Sequence, residues 1–380
     1  MINNLDIQDF ISHYWQKKPL LIRSAFPNYQ SPVSAEELAG LACEDFVESR
    51  IIQENTTKPK WSLSNGPFVE NDFTSLPDSH WTVLIQNINF LYPELDDILR
   101  EFNFIPSWRV DDLMASYASP NGSVGPHLDQ YDVFLLQAQG RRKWIINDDT
   151  NKNYQFEKDT SLKIIKDFTA TDEWILEAGD MLYLPANVAH HGIGMDDCMT
   201  FSIGFRAPSH AELLSSFVDD HMPKLEDNIR YQDEGLSINN ENGEISATAI
   251  NQIQETLISQ FSDRNRIEKW FGKFITGYHI DSEQLNDSDM SIDDFKKQLP
   301  NKVLRRPANV RANYIINEKS ELSLFINGED FNVTNVNLAK LFCNQHLYNN
   351  TNLCEYLTES INIDFLYHLY TSGYIEFTDE

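Results

Sequence analysis

The sequence has few cysteines and no long apolar run, and each absence excludes a class of protein. The four cysteines are scattered and fit no metal-binding or redox spacing: Cys43, Cys198, Cys343 and Cys354. We therefore expect reduced thiols in a cytoplasmic protein. No apolar segment approaches the ~20 residues that span a bilayer. The first residues also lack the basic and apolar regions of a secretory signal, so we expect no membrane partner.

Basic residues are also scarce. The 380 residues include 30 Lys and Arg against 58 Asp and Glu, which gives a net charge of −28. Such a chain repels nucleic acid phosphates and attracts basic partners, although an acidic surface that only maintains solubility has the same composition. Apolar material is present in quantity. Hydrophobic residues make up 41% and aromatic residues 12%, enough for two or three globular domains.

His127, Asp129 and His190 carry the chemistry that the sequence suggests. In a β-strand, residues i and i+2 point to the same side, so His127 and Asp129 can reach one metal ion from one strand or strand end. His190 follows much later and must arrive from another strand. Two histidines and one carboxylate form the ligand set of non-haem iron(II) oxygenases, which leaves positions open for co-substrate and dioxygen.

The segments around these residues strengthen the prediction, because a short motif alone is often accidental. Gly125 and the proline after it predict a turn before His127, and the apolar strand Val133–Leu136 follows. His190 comes shortly after a second apolar strand, which Pro185 ends. Both histidines are therefore expected at strand ends.

Residues 1–208 contain most of the predicted strands. Helical patterns occur near the start, at Asp9–Trp15 and Ser34–Ala39. From Trp81 onward, short strands separated by turn residues dominate: Trp81–Ile85, Leu113–Tyr117, Lys143–Ile146, Trp174–Leu176 and Thr200–Ile203. Many short strands with turns between them predict a β-sandwich or barrel.

The remaining residues predict two further regions. Residues 209–280 carry two apolar stripes at helical spacing: Leu213, Leu214, Phe217 and Val218, then Ile250, Ile253, Leu257 and Phe261. A polar loop is expected over Asp233–Gly243. Residues 281–380 predict a small α+β domain. Its elements are a hairpin around Asn327-Gly328, helices Leu338–Asn344, Leu353–Glu359 and Ile363–Ser372, and a strand Gly373–Phe377.

Helices beside a β-hairpin are typical of winged-helix domains, many of which bind DNA. After Lys319 the only basic residue is Lys340, against nine acidic residues from Glu321 to Glu380. A DNA-reading surface needs clustered Lys and Arg. We therefore expect no nucleic acid partner.

Several segments together resemble one known family. They are Tyr14–Arg23, Asp111–Met114, Gly125–Phe134, Gly140–Trp144 and Phe201–Pro208. They look like those of the bacterial ribosomal oxygenases, Jumonji C (JmjC) cupins that hydroxylate an arginine in a large-subunit ribosomal protein. The resemblance is dense over residues 1–208 and looser beyond. It implies a catalytic double-stranded β-helix at 1–208, a helical dimerisation region at 209–280 and a winged-helix-like domain at 281–380.

For the metal, the resemblance selects His190 rather than the adjacent His191, and only one of two neighbours on a strand faces inward. Iron(II) is then expected on His127, Asp129 and His190, with dioxygen as the oxidant. The other common cupin site has four protein ligands, with a second histidine in the place of Asp129 and a glutamate soon after. No glutamate lies between Asp129 and Tyr154, so that ligand set is absent.

The family's co-substrate is 2-oxoglutarate, whose far carboxylate needs a fixed cation, and arginine is a planar two-pronged partner. Arg141, Arg142 and Lys143 are the candidates by position. Strand alternation separates Arg142 from its neighbours, and the family's basic residue matches it. Ser116 and Thr200 are expected near the same carboxylate.

The resemblance implies hydroxylation of an arginyl residue in a basic ribosomal protein, by a homodimer. An arginine side chain favours carboxylates and aromatic walls. We expect Tyr131 to line the pocket, and Asp111 and Asp112 lie nearby in sequence. Two other hypotheses stay open. One is a JmjC oxygenase with a different protein substrate or a demethylase activity, and the other is a cupin that binds a metal without catalysis.

Overall fold

The structure, a computed structural model, describes residues 2–55, 60–149, 152–233, 243–277 and 290–378. It divides into two compact units, Met1–Ala207 and Pro208–Glu380. Most of the predicted loop Asp233–Gly243 and the predicted boundary after residue 280 lie outside the described residues. In the described part of the chain, no helix combines the length and the apolar composition needed to cross a bilayer.

The first unit is rich in strands. Its elements are α1 (Ile7–His13), β1 (Leu20–Ile22), α2 (Ala35–Leu41), β2 (Ser49–Glu54), β3 (Trp61–Asn65), α3 (Glu70–Thr74), β4 (Trp81–Ile85), α4 (Pro93–Arg100), β5 (Val110–Ala118), β6 (Asp132–Gln139), β7 (Arg142–Asn147), β8 (Asp172–Leu176), β9 (Met181–Leu184), β10 (Ala189–Gly194) and β11 (Cys198–Phe205). Short 3-10 turns precede α4 and β5.

Two antiparallel sheets build this unit. The larger has eight strands in the order β1-β9-β6-β11-β5-β4-β2-β3, and the smaller has three in the order β10-β7-β8. Val133 and Leu135 of β6 pack with Trp144 and Ile146 of β7, which joins the facing sides of the two sheets in one apolar cluster. This arrangement confirms the predicted double-stranded β-helix.

Helices cover the other face of the larger sheet. Phe10 of α1 and Leu38 of α2 are fully buried in a cluster that includes Phe134 and Leu136 of β6. The Phe10 ring lies 4.9 Å from that of Tyr183 in an edge-to-face contact, an arrangement that aromatic pairs favour. Because both faces of β6 are covered, this strand is apolar almost throughout and shows no simple alternation.

Local signals explain where the helices begin. The Asp6 side chain caps α1, and Ser34 and Glu37 form a capping box at α2, within two residues of the predicted starts. Helix α4 was not predicted, although Pro93 occupies its first turn and Leu95 and Ile98 bury one face. Strands β2 and β3 were also not predicted.

The second unit mixes helices with short strands. Its elements are α5 (His210–His221), α6 (Ala247–Gln260), α7 (Arg264–Thr276), α8 (Ile292–Gln298), β12 (Val303–Arg305), β13 (Ala312–Ile316), β14 (Leu322–Ile326), β15 (Glu329–Phe331), α9 (Val336–Asn344), β16 (Leu347–Tyr348), α10 (Asn350–Leu353), α11 (Ser360–Thr371) and β17 (Glu376–Thr378). The strands form two small sheets, β16-β12-β17 and β13-β14-β15. This is the predicted winged-helix arrangement.

The turn between β14 and β15 lies where the sequence predicted a hairpin. Asn327 and Gly328 both have positive φ, as a two-residue turn of this kind requires. Helix α7 packs on the same sheet: Gly272 lies against the Phe325 ring, and Lys273 pairs with Asp330 at 2.6 Å. Residues on both sides of position 280 therefore share one packed region.

The predicted helix Leu353–Glu359 is wrong. The structure has a short helix before it, α10, and turns over residues 354–358 before α11 begins at Ser360. The Asn349 side chain caps backbone N–H groups of α10 and starts that helix early. Tyr356 and Leu357 then turn to pack against the core of this unit.

Candidate metal centre

The structure brings His127, Asp129 and His190 together. One ligand atom from each side chain lies within 4.8 Å of the other two. Backbone hydrogen bonds in both directions join His127 to His190, so the two histidines sit side by side. The Nε2 atoms of His127 and His190 lie 3.9 and 3.6 Å from Asp129 Oδ2. The three atoms thus face one point, as ligands of a single ion do.

Hydrogen bonds orient both imidazole rings for metal binding. His127 Nδ1 lies 2.9 Å from the Gly125 carbonyl, and His190 Nδ1 lies 3.0 Å from the Val188 carbonyl. A carbonyl oxygen only accepts, so each Nδ1 carries the proton and each Nε2 keeps a free lone pair. Burial and the neighbouring His127 lower the pKa of His190 to about 4. The ring is therefore neutral at pH 7, the form that binds metals.

His191 points away from this cluster. Its ring faces that of Phe168 at 6.2 Å, and burial lowers the pKa of His191 to about 4. Gly192 follows on the same strand face as His190. A Cβ there would lie 2.7 Å from the Trp144 ring and 3.0 Å from Arg142 Nε, so only glycine lets these side chains approach the strand.

Arg142 lies inside the barrel with the two hydroxyl residues expected beside it. Its Nη1 donates to Ser116 Oγ at 3.0 Å and to Thr200 Oγ1 at 3.2 Å. Thr200 in turn donates to Gln137 Oε1 at 3.1 Å. The pairing of β11 with β5 and β6 sets Thr200 opposite Ser116 and Gln137, which explains the cluster.

The Arg142 guanidinium has no acidic partner. Only 2% of the residue is exposed, and in the described part of the chain no carboxylate lies within 4.0 Å of it. Burial lowers the pKa of Arg142, and Nε has no hydrogen-bond partner among the described atoms. The Trp144 ring flanks the guanidinium at 5.1 Å. A buried cation without a counter-ion is costly unless a ligand pairs with it, so Arg142 is a candidate for binding an anion.

Tyr131 lies on the Asp129 side of the barrel, partly exposed. Burial of the phenol raises the pKa of Tyr131 well above its ordinary value, and the negative charges of Asp129 and Asp112 raise it further. Its ring lies 3.7 Å, and the Asp112 carboxylate 3.1 Å, from the point that a Cβ on Gly204 would occupy. An aromatic ring and a carboxylate therefore lie together beside Gly204, and the phenol interacts electrostatically with Asp129.

Sequence reasoning missed Gln137 and Trp144. Both occupy the face of their strand that Arg142 and the apolar cluster between the sheets also occupy. Gln137 directly follows the apolar run Val133–Leu136, and Trp144 is two residues from Arg142. Strand alternation applied to these two positions would have found them.

Comparison with known proteins agrees with this geometry. Residues 97–213 match the JmjC domain family, and residues 251–376 match the ROXA-like winged-helix family. The chain is 34% identical over 272 residues to the ribosomal protein uL16 3-hydroxylase of Escherichia coli (strain K12), a match that covers 72% of each protein.

Solved structures agree as well. The X-ray structure of E. coli ycfD matches with a TM-score of 0.90 at 29% identity and covers 100% of this chain and 99% of that one. A structure of YcfD, a ribosomal oxygenase from E. coli, in complex with cobalt and 2-oxoglutarate matches with a TM-score of 0.86 at 30% identity and 98% coverage of both chains. This chain belongs to the JmjC ribosomal oxygenases, which join a cupin domain to a winged helix.

Proposed function

We propose that this protein is an iron(II)- and 2-oxoglutarate-dependent hydroxylase. Its substrate would be an arginyl residue of a basic large-subunit ribosomal protein in the cytoplasm. The main support is one juxtaposition: a His-Asp-His cluster and a buried arginine without an acidic partner share the interior of one barrel. The E. coli relative named as a uL16 3-hydroxylase makes uL16 the first substrate to test.

The donor set fits iron(II). Two imidazoles and one carboxylate suit a divalent first-row metal, and a three-ligand face leaves room for co-substrate and dioxygen. When bound, the metal with 2-oxoglutarate and dioxygen supplies the oxidation: one oxygen atom enters a substrate C–H bond, the other enters succinate, and CO2 leaves. The carbonyls of Gly125 and Val188 hold the two imidazoles in the ligating tautomer.

Arg142 would bind the far carboxylate of 2-oxoglutarate. Pairing would give the buried guanidinium its missing anion, and the hydroxyl groups of Ser116 and Thr200 are close enough to add hydrogen bonds. Trp144 lies between this end and the metal cluster, 5.1 Å from Arg142 and 5.8 Å from the His190 ring. Its indole would exclude water from the co-substrate.

An arginine side chain suits the other end of the site. Asp129 would be occupied by the metal, but Asp111 and Asp112 supply negative charge beside Tyr131. A guanidinium can pair with a carboxylate and stack on a phenol ring. The net charge of −28 also favours a basic partner.

Two measurements test the proposal. The purified protein with iron(II) should convert 2-oxoglutarate to succinate in an oxygen-dependent reaction, and added uL16 should raise the rate. Mass spectrometry of ribosomal proteins from a strain that lacks this gene should show the loss of one 16-Da modification on an arginyl residue. If succinate forms but the lost modification is on another residue or protein, a different JmjC activity is correct. Absence of turnover would favour a non-catalytic cupin.

The metal ligands can be tested separately, with cobalt(II) as a probe. His127→Ala, Asp129→Ala and His190→Ala should each abolish the cobalt absorbance and turnover while the circular dichroism spectrum stays unchanged, because the ligands sit on a pre-built barrel. His191→Ala is the matched control and should retain both. Loss of cobalt binding in His191→Ala but not in His190→Ala would reverse the assignment.

We also propose that residues 209–280 form a homodimer interface. In sequence, this region follows a catalytic domain at 1–208 and precedes a winged-helix-like domain at 281–380. In the single chain, the predicted stripe on α6 is exposed: Ile250 55%, Ile253 45% and Leu257 57%. Contiguous exposed apolar residues of this kind mark interaction surfaces. Ile253→Glu with Leu257→Glu should elute as a monomer and still bind cobalt. A wild-type chain that is monomeric at micromolar concentration would refute the interface.

A further inference from the structure

The Asp112 carboxylate has a support that the proposed chemistry does not use. Arg50, Gln86 and Asp112 lie on or next to three neighbouring strands, β2, β4 and β5. In the amide orientation that satisfies both neighbours, the Gln86 nitrogen donates to Asp112 Oδ2 at 3.2 Å, and its oxygen accepts from Arg50 Nη2 at 2.9 Å. The three side chains form a relay that ends at the carboxylate.

Asp112 lies in a β-bulge between β5 and β11. Leu113 pairs with Ile203, whereas Val110 pairs with Phe205, so Gly204 alone stands opposite Asp111 and Asp112. Bulges of this type redirect a side chain next to active sites. Gly204 leaves free space where a Cβ would meet Asp112 Oδ1 at 3.1 Å. That oxygen and the Tyr131 ring both lie near the Gly204 position, while the other oxygen accepts from Gln86.

Asp112 shares a strand face with the co-substrate end of the barrel. Ser116, which contacts Arg142, lies four residues further along β5. Alternate residues of a strand face the same side, at roughly 3.3 Å per residue, so Asp112 and Ser116 lie about 13 Å apart on one wall. The interior therefore has a cation at one end and a held carboxylate at the other.

We infer that Gln86 and Arg50 are positioning residues that set the preference of the site for a cationic side chain, an inference that rests on the proposed function. Arg50 fixes which end of the Gln86 amide faces Asp112. Without that hydrogen bond the amide can rotate and present its oxygen to the carboxylate, which repels it. Gln86 holds one Asp112 oxygen, so the other stays directed at the substrate side chain next to Tyr131.

The relay predicts a specific kinetic signature. The probes are a uL16 peptide that carries the unmodified target arginine and the same peptide with neutral citrulline in its place. Wild-type protein should favour the arginine peptide through KM. Gln86→Leu should reduce this preference by about 10- to 100-fold, as expected for the loss of a charge-assisted hydrogen bond. Substrate-independent turnover of 2-oxoglutarate and cobalt binding should not change.

A double-mutant cycle separates positioning from a general structural effect. On an Asp112→Asn background, Gln86→Leu should have little further effect on the preference, because the charge that it positions is gone. Gln139→Leu, at the exposed end of β6, is the matched control and should leave the preference intact. Arg50→Met tests the same relay if Gln86→Leu does not fold, and Arg50→Lys should restore part of the preference.

The outcomes distinguish the two proposals. A wild-type protein that does not discriminate between the peptides refutes an arginine substrate. A wild-type protein that discriminates, with a Gln86→Leu variant that discriminates equally well, refutes the relay alone. Equal effects of Gln86→Leu on the Asp112 and Asp112→Asn backgrounds would also refute it.

Discussion

Arg109 and Arg142, both in the first unit, differ in their partners. Arg109 Nη2 pairs with the fully buried Asp132 at 3.3 Å, and Tyr183 and Gln16 donate further hydrogen bonds to that carboxylate at 2.7 and 3.1 Å. Among the described residues, Arg142 donates hydrogen bonds to two neutral side chains, Ser116 and Thr200, and pairs with no carboxylate.

A buried charge with a full set of partners holds structure together, whereas one without a counter-ion lowers stability unless a ligand supplies it. Arg109 therefore contributes to the fold, and we propose that Arg142 binds an anionic ligand.

The largest effect on stability should follow from breaking the paired arginine. Asp132→Ala leaves Arg109 without its acid, so the free energy of unfolding should fall by about 3–5 kcal/mol. Urea unfolding followed by tryptophan fluorescence measures this change. Asp97→Ala is the control, because the exposed Asp97–Arg100 pair should contribute less than about 1 kcal/mol. A loss at Asp132 as small as that at Asp97 would remove the contrast.

Substitution of Arg142 should affect ligand binding rather than stability. Arg142→Met should not lower the free energy of unfolding of the ligand-free protein, since it removes a buried charge and keeps the volume. It should weaken 2-oxoglutarate binding by about 2–5 kcal/mol. Arg141→Met should do neither, because Arg141 pairs with Asp196 on the surface. Titration calorimetry and urea unfolding measure both quantities, and a destabilised Arg142→Met that binds normally would contradict the assignment.

Buried histidines differ from both arginines, because a histidine can lose its proton and become neutral. Burial lowers the pKa of both His190 and His191 to about 4, against about 6.5 in an unfolded chain. Between these values the unfolded chain binds more protons than the folded one, so the free energy of unfolding of the metal-free protein should fall as pH drops from 6.5 towards 4. Urea unfolding midpoints across this pH range measure how steeply the free energy of unfolding depends on pH. His191→Phe should reduce this slope, and an unchanged slope would contradict the His191 shift.

The smallest expected effect is that of salt, which should act on the acidic surface but not on the buried Arg142. Moderate salt screens exposed charges but not an enclosed pair. The KM for a basic uL16 peptide should therefore rise from low to moderate salt, while substrate-independent turnover of 2-oxoglutarate, which depends on Arg142, should change much less. Initial rates at several ionic strengths measure both. A salt-independent KM would mean that the net charge of −28 serves solubility.

Strand periodicity was sufficient for much of the site. The i, i+2 rule joined His127 to Asp129, and alternation separated Arg142 from Arg141, which the structure finds exposed and paired with Asp196. Both inferences depend on side-chain alternation along an extended segment. His127 and Asp129 lie just before β6 rather than in a regular strand, with His127 in an isolated bridge to His190. The same rule was not enough for His190, since choosing it over His191 required a known family.

Long-range pairing was not accessible in this way. Nothing local in the sequence connects Arg50 and Gln86 to Asp112, because the order of β2, β4 and β5 in the sheet and the bulge opposite Gly204 bring them together. The position of α10 was also misjudged, since the Asn349 cap competed with a helical pattern further along.

The sequence by itself determined the strand-rich class of the first unit, the metal ligand types and the excess of acidic charge, because composition and short-range periodicity encode these properties. Tertiary structure decided which buried charge has a partner. Arg109 and Arg142 have the same side chain, but the fold sets a carboxylate beside the first and two hydroxyl groups beside the second. Counter-ions of buried groups come from distant segments, so no local pattern can reveal which arginine is left for a ligand.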